Sequence, residues 1–182
     1  MADRVAIFID GAYLDRVRND EFSGVQINFE TFIATLATGN DLLRAYYYDC
    51  PPYQDNPPTP EQRTRTQNRR RFFVRLNRLP RFEVRLGRLE RRLGPDGHPR
   101  YEQKRVDILL GVDLVQLAAK QRIEQAILVT GDSDFIPAVA VAKSEGVLVR
   151  LFHGNNCHSE LWQEVDERVK FDQAFIDSVA LS

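Results

Sequence analysis

Short apolar runs that precede helical patterns constrain the fold of this chain more than any other feature. Residues 126–129 and 147–152 read as strands on either side of a helical pattern at residues 135–144. This arrangement predicts a β-α-β unit with a right-handed crossover. Residues 5–9 form a further apolar run of the same kind. The sequence therefore predicts an α/β fold built on an open, mostly parallel sheet.

Aspartates stand at the points where these strands end. Asp10 follows the first apolar run, and Asp132 and Asp134 lie in the tight turn after residues 126–129. A further acid, Asp107, stands at the head of an apolar helical segment. Because the carboxyl ends of parallel strands line one crevice, we expect the four side chains to converge. Two carboxylates about 4 Å apart repel by roughly 4 kcal/mol at an effective dielectric near 20, so such a cluster requires a bound metal, shared protons or a basic partner.

The type of ligand indicates which metal such a cluster would hold. Carboxylate oxygens suit Mg²⁺ and Mn²⁺, hard ions that keep several waters and bridge carboxylates to substrate phosphates. Ions of this kind promote phosphodiester cleavage. A zinc site is disfavoured, because His98, His153 and His158 share no short spacing and Cys157 has no companion ligands beyond the adjacent histidine. The predicted cofactor is Mg²⁺ or Mn²⁺.

Each acid also has a purely structural interpretation. Asp10 alone would serve equally well as the cap of the following helix, and Asp132 or Asp134 as the cap of the next one. The metal interpretation rests on the combination. Four acids from three segments at one predicted edge are difficult to explain as independent caps.

Several residues near the acids have weaker claims to a role in the site. Lys104, three residues before Asp107, would either hold a scissile phosphate or remain a solvated lysine. Thr130 and Ser133 more simply satisfy their turn than contact phosphate. Asp113 lies about 120° from Asp107 around a helix of 3.6 residues per turn, so we expect it to support the ligands or the fold rather than to bind a metal.

The helical segment that carries Asp107 has its own pattern. Residues 106–119 are apolar almost all round the helical circumference, which predicts a buried helix. Gly111 lies one turn beyond Asp107 on the same face. Because it has no side chain, we expect another backbone, such as the turn at Asp10 and Gly11, to approach it closely.

Charge is distributed unevenly along the chain. The formal net charge is −1, yet residues 61–105 contain 15 basic and 5 acidic residues, a net charge of +10. The remainder contains 10 basic and 21 acidic residues, a net charge of −11. Clustered arginines gain affinity for a phosphate backbone by releasing its counterions, so this segregation favours a polyanionic partner. The alternative is a basic helix that neutralises the acidic body of its own chain or of a second copy.

The basic segment follows a proline-rich loop at residues 49–58. Thr59 has the features of a helix cap and predicts a helix that ends before Pro80. Residues 82–89 alternate apolar with charged side chains, as in a half-buried strand. The turn at residues 94–97 then predicts a short hairpin or ribbon at the edge of the sheet.

Length and composition bound the organisation of the chain. At 182 residues, we expect one domain spanning residues 1–182, with residues 50–103 as a basic helix-plus-hairpin insertion. The two cysteines are too few for a disulfide framework. With no secretory signal and no apolar run near the roughly 18 residues needed to cross a bilayer, we expect a cytoplasmic protein without a membrane partner. The remaining predicted elements are helices at residues 13–18, 29–36, 159–165 and 172–181 and a strand at residues 42–48.

Three motifs occur in order along the chain: FIDGAYL at residues 8–14, EQKRVDILLGVD at residues 102–113 and LVTGDSDFIPAV at residues 128–139. Together they resemble the LabA-like branch of NYN domains, which are relatives of PIN-domain ribonucleases. The resemblance covers nearly the whole chain and implies a PIN-like three-layer α/β/α fold and metal-dependent cleavage of RNA. It also implies that the acidic cluster consists of Asp10, Asp107, Asp132 and Asp134, and it gives Asp113 as a recurrent acid of the branch.

One position departs from the family pattern, since Tyr13 stands where NYN domains often have asparagine. An exposed tyrosine at this position would stack on an unpaired base. With RNA as the implied partner, the basic segment acquires a role as well. Its phenylalanines, Phe72, Phe73 and Phe82, are expected to face the core. The candidate RNA contacts in the segment are Arg63, Arg65, Arg69, Arg70, Arg71 and Arg75.

The leading hypothesis is a Mg²⁺- or Mn²⁺-dependent endoribonuclease that hydrolyses single-stranded or flexible RNA. The alternative is a catalytically silent RNA-binding or regulatory module with the same fold. A phosphatase of the haloacid dehalogenase type comes last. Residues 131–134 resemble the acidic metal motif of that family, but Ala12 replaces the second acid of its nucleophile motif. The opposed charges of the basic segment and the body would also permit a reciprocal homodimer.

Overall fold

A computed structural model describes residues 2–181, with the backbone alone at residues 102–104. The strands are β1 (Arg4–Asp10), β2 (Asp41–Asp49), β3 (Phe82–Leu86), β4 (Arg88–Leu93), β5 (Pro99–Lys104), β6 (Gln125–Val129), β7 (Leu148–His153) and β8 (Glu167–Lys170). The helices are α1 (Gly11–Glu21), α2 (Phe29–Leu36), α3 (Pro60–Asn77), α4 (Val106–Ala119), α5 (Ile136–Ser144), α6 (Ser159–Glu164) and α7 (Gln173–Val179).

Six parallel strands form the central sheet in the order β3-β2-β1-β6-β7-β8. Strand β1 lies inside the sheet, with β2 and β3 on one side of it and β6, β7 and β8 on the other. Because all six strands point the same way, their carboxyl ends lie at one edge, which we call the carboxyl edge. The predicted α/β fold with a parallel sheet is confirmed.

Helices cover both faces of the sheet and make three layers. Successive side chains of a strand point to opposite faces, so β1 contributes to two separate cores. Ile7 and Ile9 pack with α1, α2, α3 and α7, and Ala6 and Phe8 pack with α4, α5 and α6. All four of these side chains are completely buried. The predicted three-layer α/β/α architecture follows from this alternation.

The basic helix α3 begins where the sequence predicts. Thr59 Oγ1 accepts a hydrogen bond from the Gln62 amide at 3.2 Å, and Gln62 Oε1 accepts one from the Thr59 amide at 3.0 Å. This reciprocal cap satisfies two amides that would otherwise lack partners at the helix start. As predicted, Phe73 and Phe82 are buried in the core beneath α3, whereas Phe72 lies half-buried at its margin.

The alternating run at residues 82–89 is two strands rather than one. Gly87 interrupts it, so β3 joins the central sheet and β4 leaves the sheet to pair with β5. The β4–β5 ribbon is a separate antiparallel sheet of two strands. The sequence correctly predicts the ribbon but not the break. A period of two is the same in both strands and does not distinguish their partners.

Helix α4 is not buried all round, which corrects the prediction for residues 106–119. Ile108 is 69% exposed and Val112 is 56% exposed. One face of α4 packs on the sheet and a second packs against α5, but the third face has no covering element in the described structure. Gly111 faces α5, where an added Cβ atom would lie 3.7 Å from Ala138 Cβ, rather than the turn at residues 10–11 as expected.

The carboxyl-terminal segment contains a strand that the sequence analysis missed. Residues 167–170 form β8, which pairs with β7 at the margin of the sheet. All four residues are exposed, so this edge strand lacks the apolar run that identifies the inner strands. None of the helices within residues 2–181 is long and apolar enough to cross a bilayer.

Candidate functional site

Strands β1 and β6 end next to each other. Asp10, at the end of β1, therefore lies close to the turn after β6 that carries Asp132 and Asp134, which we call the acidic turn. Ile9 and Val129 are register partners, so Asp10 and Thr130 follow them side by side at the carboxyl edge. Thr130 Oγ1 donates a hydrogen bond to Asp10 Oδ2 at 3.3 Å. The same hydroxyl oxygen accepts a hydrogen bond from the Asp132 amide, also at 3.3 Å. Thr130 is completely buried, so it joins Asp10 to the turn and does not contact a ligand.

Asp10 combines a structural role with an electrostatic strain. It caps α1, with Oδ1 accepting a hydrogen bond from the Tyr13 amide at 3.0 Å. Its pKa is raised to about 6, chiefly by burial and also by the charges of Asp107 and Asp132, against the hydrogen bonds from Tyr13 and Thr130 that lower it. A carboxyl group in this position gains stability from a nearby cation.

The turn after β6 positions two acids at the surface. Asp132 Oδ1 accepts a hydrogen bond from the Asp134 amide at 3.0 Å and caps the short 3-10 turn at Ser133–Phe135. Asp132 and Asp134 are exposed and Ser133 is half-buried. A single oxygen of Asp132 makes the cap, which leaves its second oxygen available to a ligand.

Asp107 reaches the same region from the opening of α4. Burial raises its pKa, and the charges of Asp132 and Asp134 add to the effect. Asp10 also responds to Asp107 and Asp132, so the four acids form one electrostatic group, in which Asp107 is coupled to each of the other three. The predicted Lys104 side chain lies outside the described residues.

A cavity of about 180 Å³ opens between Asp10 and Asp132. Arg16, Asn156 and His158 also line it, and the sequence analysis did not assign any of them to the site. Asn156 and His158 belong to the loop after β7, the neighbour of β6 in the sheet. The signal was present in the run of polar residues directly after a predicted strand, which places them at the carboxyl edge by the same rule that located the aspartates.

Tyr13 is not the exposed stacking platform that its position suggested. Its side chain is only 4% exposed, and its hydroxyl accepts a hydrogen bond from the Gly154 amide at 3.0 Å. Burial raises its pKa to about 12. The ring also packs against Gly131, where an added Cβ atom would lie 2.4 Å from it and 2.5 Å from the Asn156 carbonyl oxygen. Tyr13 therefore ties the loop after β7 to the acidic turn.

The carboxylates of the acidic cavity would supply only part of the ligands of a divalent ion. Within residues 2–181, excluding the side chains at 102–104, no three Asp, Glu, His or Cys side chains gather closely enough to form a complete set of metal ligands. Mg²⁺ commonly binds through one or two carboxylates and completes its shell with waters and substrate phosphates. Asp10 and Asp132, on either side of one cavity and with a raised pKa at Asp10, fit that mode of binding.

Asp113 lies apart from this group and stabilises the packing of α4. Its Oδ2 accepts a hydrogen bond from the Tyr48 hydroxyl at 2.9 Å and forms an ion pair with Arg85 at 3.3 Å. These contacts join α4 to β2 and β3. They give Asp113 a structural role away from the acidic cavity.

The six arginines of α3 that the sequence singled out differ in their surroundings. Arg69 forms ion pairs with Asp15, at 2.8 Å, and with the buried Asp49. Its guanidinium also lies 4.9 Å from the ring centroid of Phe72. Arg69 is therefore held inside the fold. The exposed members are Arg63, Arg65, Arg70, Arg71 and Arg75.

Comparison with known proteins identifies relatives of the chain. It is similar to the uncharacterized protein y4oD of Sinorhizobium fredii (strain NBRC 101917 / NGR234), with 31% identity over 80 residues. That match covers 42% of this chain and 37% of the relative, so it spans well under half of the relative's length.

A solved structure shares the fold. The protein of unknown function VPA0982 from Vibrio parahaemolyticus RIMD 2210633 superposes with a TM-score of 0.65 at 20% identity, covering 99% of this chain and 97% of its own. The sequence profile of the NYN domain matches residues 4–172. This match includes all four aspartates of the carboxyl edge and nearly the entire fold, and the chain therefore belongs to the NYN domain family.

Proposed function

We propose that this protein is a Mg²⁺- or Mn²⁺-dependent endoribonuclease of the LabA-like branch of NYN domains. NYN domains belong to the PIN-like nuclease superfamily, which supports a hydrolase. The observation that carries the proposal is the convergence of Asp10 and Asp132 on one cavity, with Asp107 and Asp134 close enough to raise the pKa values of that group. The whole chain acts as one domain in this proposal, with residues 50–103 as its basic insertion.

Each acid has a defined part in the reaction that we propose. Asp10 and Asp132 would hold the ion, and Asp107 and Asp134 would contribute negative charge to the same electrostatic group. When bound, the ion would supply the positive charge that polarises a phosphodiester and offsets the charge built up during hydrolysis. Water adds to phosphorus, the bond to one ester oxygen breaks, and the products are a phosphate monoester and a free hydroxyl.

The other residues of the cavity act on the substrate. Arg16 supplies a guanidinium at the cavity wall, where it pairs with a phosphate oxygen. His158 and Asn156 offer hydrogen-bonding groups on the opposite wall. Tyr13 is buried and its hydroxyl accepts a hydrogen bond from the Gly154 amide, so its part is to position the loop after β7.

Cleavage of a circular single-stranded RNA tests the proposal, since only an endonuclease can open a circle. We expect the wild-type protein to linearise the circle with Mn²⁺ or Mg²⁺ and to leave it intact in EDTA. Asp10→Asn and Asp132→Asn should each lose activity by about 10²-fold or more, the scale of removing one preorganised electrostatic group. Asp20→Asn removes an exposed carboxylate from α1, the helix that Asp10 caps, and should cleave like wild type.

The alternative function is a binding module without turnover. The incomplete ligand set within the described residues favours it, as does the exposed arginine surface of α3. It predicts binding of RNA that weakens with salt and no cleavage with either metal. Failure of wild-type protein to cut any RNA, or full activity in both variants, would reject the endoribonuclease and leave the binding module.

A further inference from the structure

A groove separate from the acidic cavity lies between α1 and α3. It has a volume of about 870 Å³, and we call it the α1–α3 groove. Most of its polar groups belong to arginines. The residues that define it are Arg18, Arg65, Asn68, Arg69, Phe72 and Arg75.

The groove carries more positive charge than its own acids neutralise. Four guanidinium groups line it, whereas Asp15 and Glu61 are its acidic lining residues in the described structure. Asp15 pairs with both Arg18, at 3.3 Å, and Arg69, at 2.8 Å. The excess positive charge is therefore concentrated on the remaining arginines of the groove.

Arg65 and Arg75 are the arginines best placed to bind a ligand. Both are exposed, and no ion pair of either is found within the described part of the chain. Arg65 donates a hydrogen bond to the Tyr53 carbonyl oxygen at 3.1 Å. The Nε atom of Arg18 is buried without a hydrogen-bond partner in this part of the chain, and Arg18 lines the groove beside them.

The groove is longer than a single phosphate group. A second cavity of about 280 Å³ shares Arg18, Gln26, Phe72 and Arg75 with it, so the two spaces adjoin. Arg65 and Arg75 are ten residues apart on α3, which separates them by about 15 Å along the helix. One phosphate cannot contact both. Phe72 lies between them and lines both cavities.

The groove also opens at the same edge of the sheet as the acidic cavity. Arg69 pairs with Asp49 at the carboxyl end of β2, the neighbour of β1. Two consecutive residues of α1 face different spaces: Asp15 lines the groove and Arg16 lines the acidic cavity. The first turns of α1 are thus the wall between the two sites.

We propose that the α1–α3 groove binds a single strand of RNA, with phosphates on Arg65 and Arg75 and a base against Phe72. The strand leaves the groove at the carboxyl edge and passes over the start of α1 into the acidic cavity. Aromatic contacts favour unpaired bases, because every base has a face that can stack. This inference rests on the proposed function for the fate of the strand but not for its binding.

Fluorescence anisotropy with a labelled 12-nucleotide single-stranded RNA in EDTA tests the groove without cleavage. We expect Arg65→Ala/Arg75→Ala to bind at least 10-fold more weakly than wild type. The slope of log affinity against log salt should also fall by about 1.4, since each lost phosphate contact on a single strand contributes about 0.7. The control is Arg4→Ala/Arg122→Ala, which removes two exposed arginines near the opposite edge of the sheet and should bind like wild type.

Three outcomes would overturn the inference. The groove variant could bind like wild type, the control could weaken binding as much as the groove variant, or an RNA duplex of equal length could compete as well as the single strand. The result is separable from the cleavage assay. If the protein opens circular RNA but the groove variant binds RNA like wild type, only the proposal of RNA binding in the groove is refuted. If RNA binds through the groove but is never cleaved, only the proposal of nuclease activity is refuted.

Discussion

The hydroxyl group of Thr130 donates a hydrogen bond to Asp10 Oδ2 across 120 residues of sequence. The same oxygen accepts the Asp132 amide, so one buried side chain sets the position of both acids that line the cavity. The site is held together by a group that contacts no ligand. Its removal is therefore expected to affect stability and metal binding together.

Replacing Thr130 with valine tests this arrangement. The methyl group fills the space of the hydroxyl but leaves Asp10 Oδ2 and the Asp132 amide without this partner. An unsatisfied buried polar group costs about 1–3 kcal/mol, so we expect the free energy of unfolding to fall by that amount. Thr130→Ser retains the hydroxyl and should preserve most of the stability. An unchanged Thr130→Val together with a destabilised Thr130→Ser, measured by urea unfolding, would show that the methyl group matters and the hydrogen bonds do not.

The raised pKa of Asp10 predicts how stability changes with pH in the absence of metal. The carboxyl group titrates at about 6 in the folded protein and near 3.8 when unfolded. The folded state thus holds the proton more tightly, and this contribution to stability is complete below about pH 4 and is lost as pH rises through about 6. We expect Asp10→Asn to stabilise the protein by about 1–3 kcal/mol at pH 8 in EDTA and by much less at pH 4.

Divalent metal should make the wild-type protein more stable than Asp10→Asn at pH 8, the reverse of their order in EDTA. A ligand that binds the folded state alone raises its stability by mass action, so Mn²⁺ at pH 8 should raise the Tm of the wild-type protein. Asp10→Asn should show little or no increase. Asp20→Asn, which removes an exposed carboxylate from the helix that Asp10 caps, is the matched control for both pH and metal. An equal metal-dependent rise in Asp10→Asn would place the ion elsewhere.

Arg69 should contribute to stability more than any exposed arginine of α3. Its ion pair with Asp49 lies where burial already raises the pKa of that acid. Removing one member of a buried pair leaves the other charge uncompensated, a cost of about 3–5 kcal/mol when burial is complete. Because Arg69 is partly exposed, we expect Arg69→Met to cost about 2–4 kcal/mol at pH 7.

The loss in Arg69→Met should depend on pH. Without Arg69, the pKa of Asp49 rises further, so the deficit grows as pH increases through it and becomes small once Asp49 is protonated. Arg71→Met removes an exposed arginine from the same helix and should unfold within about 0.5 kcal/mol of wild type. A deficit for Arg69→Met that is the same at pH 4 and pH 8 would mean that packing, and not the ion pair, is lost.

Alanine substitutions at two glycines are expected to change the free energy of unfolding in opposite directions. At Gly131 an added Cβ atom would lie 2.4 Å from the Tyr13 ring and 2.5 Å from the Asn156 carbonyl oxygen. We expect Gly131→Ala to cost about 1–3 kcal/mol, because the loop after β7 must shift away from the acidic turn. At Gly111, within α4, the same atom would be 3.7 Å from Ala138, an ordinary contact.

Gly111→Ala should therefore stabilise the protein by about 0.5–1 kcal/mol, because alanine loses less backbone freedom than glycine in a helix. Thermal unfolding of both variants measures the contrast. A destabilised Gly111→Ala would mean that α4 and α5 are packed more tightly than 3.7 Å implies. A stable Gly131→Ala would show that Tyr13 and the loop after β7 yield without cost.

Local sequence patterns predicted the elements that are buried and regular. Ile7, Ile9 and their neighbours form an apolar run because both faces of β1 are covered. Thr59 correctly predicts the start of α3 because its capping hydrogen bonds are made with a residue only three positions away. The pattern failed where burial was incomplete. The exposed strand β8 has no apolar signature, and the apolar surface of Ile108 and Val112 was read as buried although no described element covers it.

The sequence by itself determined that acids end two strands of a parallel sheet, because that edge is a property of strand direction and chain order alone. Tertiary structure decided which side chains face one another there. Tyr13, which the motif alone suggested would be exposed, is buried by the surrounding structure. The tertiary structure also places Asn156 and His158, from the loop after β7, in the lining of the acidic cavity. It also paired Arg69 with Asp15 and Asp49 and left Arg65 and Arg75 exposed along a groove. The physical reason is that contacts between distant segments depend on packing, whereas capping and periodicity are decided within a few residues of one another.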